Sequence, residues 1–510
     1  MHHDEQTLGP RIEAAFEQGG LDAICRLMVG LLNEQETRHH AELAALHTRH
    51  LAELAALDAR YQGVIATLEA RIAELEKSRN KNSSNSSKPP SSDGLKRTSS
   101  LRNKKTGRKP GGQPGHPGQT LRQSKTPDIT VPVPLNQCPE CGADLSDQPV
   151  VGEEKRQVFD LPPIKIQVTE YRAQRKICLN CGRTVSAVFP TDVCAPAQYG
   201  PGMQAVMGYL NVRQVIPCDR VAEVCQDLFG HRPSAGSVVQ AVVRCAERVT
   251  PAVEEIRDIL SSEPVLHADE TGVRCIGKTH WLHVVSTATH TLYSHSPKRG
   301  VEGFAVAGVL PGYTGTVVHD FWGPYDVLEC EHSRCNAHLL RELKAFAEQG
   351  HEWAENLMVT LLAMKKATDE ARQNGNAEVE ETERRRLKTL YDKWVEIGIE
   401  AHPEQIKPPG QRGRMKQSPE YNLLKRMRDK REEVLRFLHD LNVPFDNNQA
   451  ERDLRMIKVQ QKVSGCFRSE QGAKRFCEFS SYISTVRKLG MNLIDSIKSA
   501  LTGAVASLTT

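Results

Sequence analysis

Apolar and polar positions alternate along the chain in several distinct patterns. In residues 41–77 a seam runs through Leu43, Leu46, His50, Leu54, Leu57, Tyr61, Ile65, Leu68, Ile72 and Leu75, with spacings of 3, 4 and 4 repeating as far as Leu68. The same period shows as a duplication, Ala41-Glu-Leu-Ala-Ala-Leu46 returning as Ala52-Glu-Leu-Ala-Ala-Leu57. Eleven residues over three turns is about 3.67 residues per turn, which predicts a nearly straight or slightly right-handed coiled coil. A single helix packed on its own protein is the other reading. The length of the segment, free of proline and broken only by Gly63, favours self-association.

Farther along, helical periodicity predicts helices over 202–212, 219–229 and 234–249, the last with Val238, Val242, Cys245 and Val249 on one face. These three could insert into a DNA groove as a helix-turn-helix or pack beneath a larger domain. Arg232 is the one evident base reader between Gly230 and Ser237, which favours packing. Short apolar runs then predict strands at 265–269, 281–287, 291–296 and 316–320, with a helix over 299–310 between the last two. Residues 341–440 are charged and helical, with helices expected over 338–374, 378–400 and 420–441 and a break at Pro408-Pro-Gly410. An amphipathic helix is expected over 446–462.

A chain of 510 residues exceeds one ordinary core, so several domains are expected. The segmentation is an N-terminal helical region (1–80, coiled coil about 41–77), a basic Ser/Pro/Gly-rich linker (81–130), a zinc ribbon (131–195) and a helical, helix-turn-helix-like domain (199–260). A catalytic core follows in two parts, 261–340 and 441–490, separated by an all-α insertion (341–440) and closed by a helical tail (491–510). No apolar run has membrane-spanning length and the polar N-terminus lacks a secretory core, so a cytoplasmic protein is expected.

The net charge of +4 conceals a local concentration. From Asn85 to Lys125 the cations Lys88, Lys96, Arg97, Arg102, Lys104, Lys105, Arg108, Lys109, Arg122 and Lys125 face the single acid Asp93. A tract of this kind either binds nucleic-acid phosphates through counterion release or serves as a solvated linker.

Cys138-Pro-Glu-Cys141 and Cys178-Leu-Asn-Cys181 form two knuckles, each followed by a glycine, Gly142 and Gly182. Four thiolates in this arrangement suit one structural, tetrahedral Zn²⁺ with no open position. Strand-like segments at 156–159 and 164–171 suit the ribbon; a redox role would not require two pairs. Cys335-Asn-Ala-His338 could be a second metal half-site, with Cys466 or Cys477 as partner, or a buried structural element. Cys218, Cys225 and Cys245 fall among apolar helix positions and belong to the core.

Three acidic motifs carry the chemistry. Asp269 in His267-Ala-Asp-Glu-Thr271 and Asp320 in Val317-Val-His-Asp320 stand at strand ends, and Glu451 opens the helix that follows Asp446-Asn-Asn448. Two strand-end aspartates and a helical glutamate can converge on a pair of Mg²⁺ ions that clamp the attacking and leaving oxygens of a phosphoryl transfer. If the first strand continues, Asp269 and Glu270 point to opposite faces, so only one of them reaches such a site. Arg455 and Lys458 share a helix face with Glu451, fitting DNA phosphates near the metal; the plain alternative is a surface Glu–Arg pair. Asp446, Asn447 and Asn448 could be a helix N-cap.

In the order given, these motifs resemble the transposases of the bacterial insertion-sequence-66 family, a branch of the DDE transposases. The resemblance covers the coiled coil, Lys109-Pro-Gly-Gly-Gln-Pro-Gly-His116, both knuckles, Asp269-Glu-Thr-Gly272, His319-Asp320 and Cys335-Asn-Ala-His338. It ends with Asn447-Asn-Gln-Ala-Glu-Arg452 and Lys462-Val-Ser-Gly-Cys-Phe-Arg468. It implies a multidomain α+β protein whose RNase H-like core carries Asp269, Asp320 and Glu451 as ligands of two Mg²⁺ (or Mn²⁺). It further implies cleavage at the inverted repeats of the element and joining of the freed 3′-hydroxyl to target DNA. Small accessory proteins and a homo-oligomer formed through the coiled coil are expected partners. A catalytically silent DNA-binding regulator and a nuclease that never rejoins are the competing functions.

Overall fold

The computed structural model describes residues 5–79, 120–162, 164–407, 410, 412–505 and 507–509. The chain divides into two compact units, Met1–Asn82 and Ser83–Thr510. In the first, α1 (Glu5–Arg79) is two helical stretches joined across a non-helical break at Gly19-Gly20, where Gly20 takes φ 67°. The expected helix is therefore present and extends well upstream of the repeat. Its seam from Leu43 to Ile72 lies open, with Leu46 66% and Ile65 46% exposed. No helix among the described residues is long and apolar enough to cross a membrane.

The second unit begins with the cysteine knuckles. Its regular structure there is one antiparallel hairpin, β1 (Arg175–Ile177) and β2 (Thr184–Ser186), which brackets Cys178 and Cys181. The strands expected at 156–159 and 164–171 do not form. Pro162 and Pro163 between them offer no backbone N–H, and Val158 and Val168 stay almost fully exposed, so neither segment gains a ladder or a core.

Helices α2 (Pro201–Gly208), α3 (Cys218–Phe229) and α4 (Ala235–Ser262) follow, with a π-helical turn, Tyr209–Arg213, after α2. All three expected helices are found, and α4 runs on through Pro251 to Ser262, thirteen residues beyond the expected end at Val249. Met207, Val221, Cys225, Val238 and Ala241 form a small core among them. The rest of α4 contributes Val249, Val253, Ile256 and Leu260 to the main core beneath the sheet, the packing role anticipated for this region.

That sheet has five strands in the order β5-β4-β3-β6-β7. β3 (Val265–Cys275), β4 (Lys278–Ser286) and β5 (Thr291–Ser296) form an antiparallel meander. The chain then crosses through α5 (Val301–Ala307) to β6 (Thr316–His319), parallel to β3, and on to β7 (Glu331–Arg334), parallel to β6. β3 continues six residues past Asp269 rather than ending there, because the polar stretch Glu270–Gly272 is paired along its whole length with β4. β7 has no apolar run to announce it.

Between β7 and the helix bearing Glu451 lie α6 (Asn336–Ala347), α7 (Glu352–Gln373), α8 (Glu381–Ala401), α9 (Pro419–Asp429) and α10 (Arg431–His439). The insertion is all-α as expected, though its first helix is two, separated at Gly350, where φ is 89°. Leu343, Trp353, Leu357, Tyr391, Leu424 and Phe437 fill its core, which also takes in Val318 of β6. α11 (Asn448–Ser464), α12 (Glu470–Lys488) and α13 (Leu493–Leu501) complete the chain.

α5 lies on β4 through Gly303. A Cβ there would stand 2.2 Å from Nε2 of His283, whose ring is buried. Gly303→Ala should therefore destabilise the protein by about 1–3 kcal/mol through overpacking, while Gly202→Ala, where the space is open, should not. Urea midpoints of the full chain measure both.

Candidate functional site

The parallel pairing of β3 with β6 sets Val265 beside Thr316, Leu266 beside Val317 and His267 beside Val318. Carried two residues further, the same register brings Asp269 beside Asp320, just beyond the last paired positions. Alternation along β3 then separates Asp269 from Glu270. His267, on the face of Asp269, meets Asn447 at the start of α11, with Nδ1 2.8 Å from Asn447 Oδ1. Glu270 faces the other way and is tied down there. Arg299 donates to its Oε1 at 2.7 and 3.0 Å, and Tyr325 Oη donates to its Oε2 at 2.8 Å. The guanidinium of Arg299 is also stacked over Trp322, 3.9 Å from the ring centre.

Asp269 accepts the Glu270 amide at 2.8 Å, and Asp320 Oδ1 accepts the Trp322 amide at 2.8 Å. Burial pushes the Asp269 carboxyl well above the usual range, and the negative charges of Glu270, Asp320 and Glu451 push it further. Three carboxylates from β3, the end of β6 and α11 therefore share one electrostatic environment. On Glu451, Arg341 Nη2 donates to Oε1 at 3.2 Å, and His338 Nε2 lies 3.8 Å from the same oxygen.

His338 and Cys335 were not expected at this point. They join Glu451 in a group whose donor atoms all lie within 4.8 Å of one another. The conceivable partners Cys466 and Cys477 lie elsewhere, Cys466 beside Gly277 and Cys477 inside the main core. Burial and the Arg341 charge lower the proton affinity of His338, while Glu451 and Asp320 act in the opposite sense. Its Nδ1 is buried without a hydrogen-bond partner. Cys335 is fully buried and accepts the amide of Asn447 at 3.2 Å. The only advance signal was the Cys-x-x-His spacing at the head of a helix.

Asn447 is the residue most underrated by the sequence. Its side chain caps nothing in its own helix. It donates to the carbonyl of Ala268 at 2.8 Å and meets His267, so the first turn of α11 is held directly against β3. Glu451 follows one turn later. A second anchor lies at the other strand: Arg334, 1% exposed, pairs with Glu433 at 2.6 Å and with Asp326, and donates to the Asp320 carbonyl at 3.3 Å. Of the expected phosphate-binding cations, Lys458 is close enough to feel the charge of Asp269, and burial lowers its proton affinity. Arg455 is exposed on the same helix. Lys104, Lys105, Arg108 and Lys109 lie outside the described residues.

Each cysteine knuckle is a closed turn. Gly142 N donates to Cys138 O at 2.9 Å and Gly182 N to Cys178 O at 2.8 Å, with φ of 72° and 61° at the two glycines. Amide N–H groups of Cys141 and Glu140 hold the Cys138 thiol below its ordinary range, and those of Cys181 and Asn180 do the same for Cys178. Pre-formed turns that favour thiolate fit a zinc ion. No three of the four sulfurs lie within 4.8 Å of one another. The connection between the knuckles has no strand ladder upstream of β1 to fix their separation.

The fold and the site together describe an α/β protein that gathers acidic side chains where two parallel strands meet a helix. The description Transposase IS66 family matches residues 196–475, more than half of the chain, and the chain belongs to that family. Residues 136–182 match the zinc-finger binding domain of transposase IS66, which indicates zinc at the knuckles, and residues 33–122 match a family of unknown function (DUF6444). No curated protein matches the chain.

Removing the Asn447 side chain strands the Ala268 carbonyl and a His267 nitrogen. Asn447→Ala should lower stability by about 1–3 kcal/mol, whereas Asn448→Ala, exposed one residue on, should stay within about 0.5 kcal/mol of wild type. Thermal or urea unfolding distinguishes the two.

Proposed function

We propose that the chain is the DDE transposase of an insertion sequence, with Asp269, Asp320 and Glu451 on an RNase H-like core as its catalytic carboxylates. The observation that carries this reading is geometric: the β3–β6 register sets Asp269 beside Asp320, and Asn447 holds the first turn of the Glu451 helix against β3. Burial and the neighbouring acids raise the proton affinity of Asp269 in keeping with it. Clustered carboxylates without a neutralising cation are costly, and a divalent ion relieves that cost. The strand order β5-β4-β3-β6-β7, an antiparallel meander with two parallel strands beyond it, supports the RNase H-like assignment. Glu270 is committed to Arg299 and Tyr325, which leaves Asp269 as the acid of β3 free to hold metal.

Two Mg²⁺ or Mn²⁺ ions, when bound, would activate the attacking oxygen and stabilise the departing 3′-oxygen. The chain's own residues do the rest. Asp269, Asp320 and Glu451 would hold the ions, and Arg341 orients the Glu451 carboxylate. Lys458 and Arg455 neutralise DNA phosphates near the cut. The knuckles, with Cys138, Cys141, Cys178 and Cys181 on one Zn²⁺, and the basic linker hold the ends of the element. The open seam of α1 pairs protomers as a coiled coil, because two ends must meet before joining.

Asp320→Asn should abolish Mg²⁺- or Mn²⁺-dependent cleavage of a labelled end while leaving end binding intact; cleavage at the wild-type rate would remove Asp320 from the site. A pre-cut end in the same assay separates strand transfer from simple nuclease action. The metal reading also sets a pH dependence. The folded-state pKa of Asp269 lies above its unfolded value, so the protonated acid stabilises the metal-free fold at low pH and that contribution is lost as pH rises through the raised pKa. A bound cation offsets the loss. The rise in melting temperature caused by Mn²⁺ should therefore grow with pH as Asp269 gives up its proton, and Asp269→Asn should flatten it.

A further inference from the structure

At the far end of β3, three metal-binding side chains meet on one face of the sheet. Cys275 is the last residue of β3, and His280 and His295 come from β4 and β5. The register places Cys275 opposite Lys278 and His295 opposite Leu282, so His280 is the diagonal neighbour of both. Nδ1 of His280 and Nε2 of His295 are 3.0 Å apart, and the two rings are stacked with centroids 5.1 Å apart. Donor atoms of all three residues lie within 4.8 Å of one another. Cys275 is fully buried and His280 nearly so.

A further thiol, Cys466, lies outside that group, its Sγ donating to Phe467 O at 3.2 Å. The segment after α11 runs beside the end of β3: Phe467 N donates to Arg274 O, and Ile276 N donates to Phe467 O, both at 2.9 Å. This brings Cys466 to the β3–β4 turn, where Gly277 N donates to its Sγ at 3.5 Å. Cys466 is exposed and close enough to act on the Cys275 thiol electrostatically. Two histidine nitrogens and two cysteine sulfurs are a donor set found in structural zinc sites, with Zn–N of about 2.0–2.1 Å and Zn–S of about 2.3 Å.

We propose that Cys275, His280 and His295, completed by Cys466, bind a second structural Zn²⁺. The site is separate from the knuckles and stands six residues from Asp269 along an extended strand, roughly 20 Å at ~3.3 Å per residue. It has no share in the chemistry. It clips the exit of α11 to the sheet, so the Glu451 helix is anchored at both ends, by Asn447 where it begins and by zinc where it ends.

The test is metal content and Co²⁺ spectroscopy on the full chain, independent of any cleavage assay. With Cys138, Cys141, Cys178 and Cys181 all replaced by serine, the protein should retain one equivalent of zinc, and adding His295→Asn or Cys275→Ser should remove it. Cobalt in the knuckle-free chain should show a thiolate-to-metal band, reduced to about half by Cys466→Ser, a change on an exposed loop that spares the core if Cys275→Ser does not fold. A knuckle-free chain that binds no zinc, or a zinc content and cobalt band unaffected by His295→Asn and Cys466→Ser, overturns the proposal.

Discussion

Three residue pairs between β3 and β6 carry the organisation of the molecule. Parallel strands cannot be joined by a tight turn, so their register is set by what packs on them and not by the connection. Here Leu266 and Val317 are fully buried in the main core, and Val318 is buried in the core of the insertion. A slip of one residue would exchange these faces. It would also take Asp269 out of line with Asp320. The alignment of the two acids is thus a by-product of apolar packing on both sides of a short ladder.

Around that alignment the protein sorts charge by partner. Glu270, one residue from Asp269, is neutralised by Arg299 and bonded by Tyr325. Arg334 is buried between Glu433 and Asp326, with Lys430 bonded to both acids. Asp269 receives no such cationic hydrogen bond, and burial together with the neighbouring acids raises its proton affinity. Replacing a buried ion pair by apolar groups is often neutral for stability, so the Arg334 network is better understood as a device that holds geometry. It ends on the carbonyl of Asp320 and fixes the backbone beside the acid.

Much of this was legible in the sequence because it follows from periodicity. The first half of β3, the strand ending beside Asp320, the helix of Glu451 and the helical stretch before it are announced by apolar spacing. What escaped follows long-range partners instead. The second half of β3 is polar and exists because β4 pairs with it. β7 (Glu331–Arg334) carries no apolar run and is held by β6. The apolar residues at 158 and 168 suggested strands, but nothing pairs with them. Asn447 looked like a cap because its neighbours suit one, yet its bonds go to residues far upstream. His338 reaches Glu451 only after more than a hundred residues of mostly helical chain have folded back, a closure no local pattern encodes.

The helical stretch between the second and third acids looks removable in sequence, an excursion leaving and rejoining the same core. In space it is a floor. Val318 of β6 lies inside its apolar cluster, and Val265 and Phe321 pack against it from the strand and the turn beside Asp320. Arg341, which touches Glu451, belongs to its first helix. A shortened relative could not simply excise these helices and splice β7 to α11. It would bare the underside of the two parallel strands as a sticky surface and leave the glutamate without its guide. Shortening the chain here calls for a replacement lid, so the length of the segment is a structural debt of the sheet and is not spare sequence.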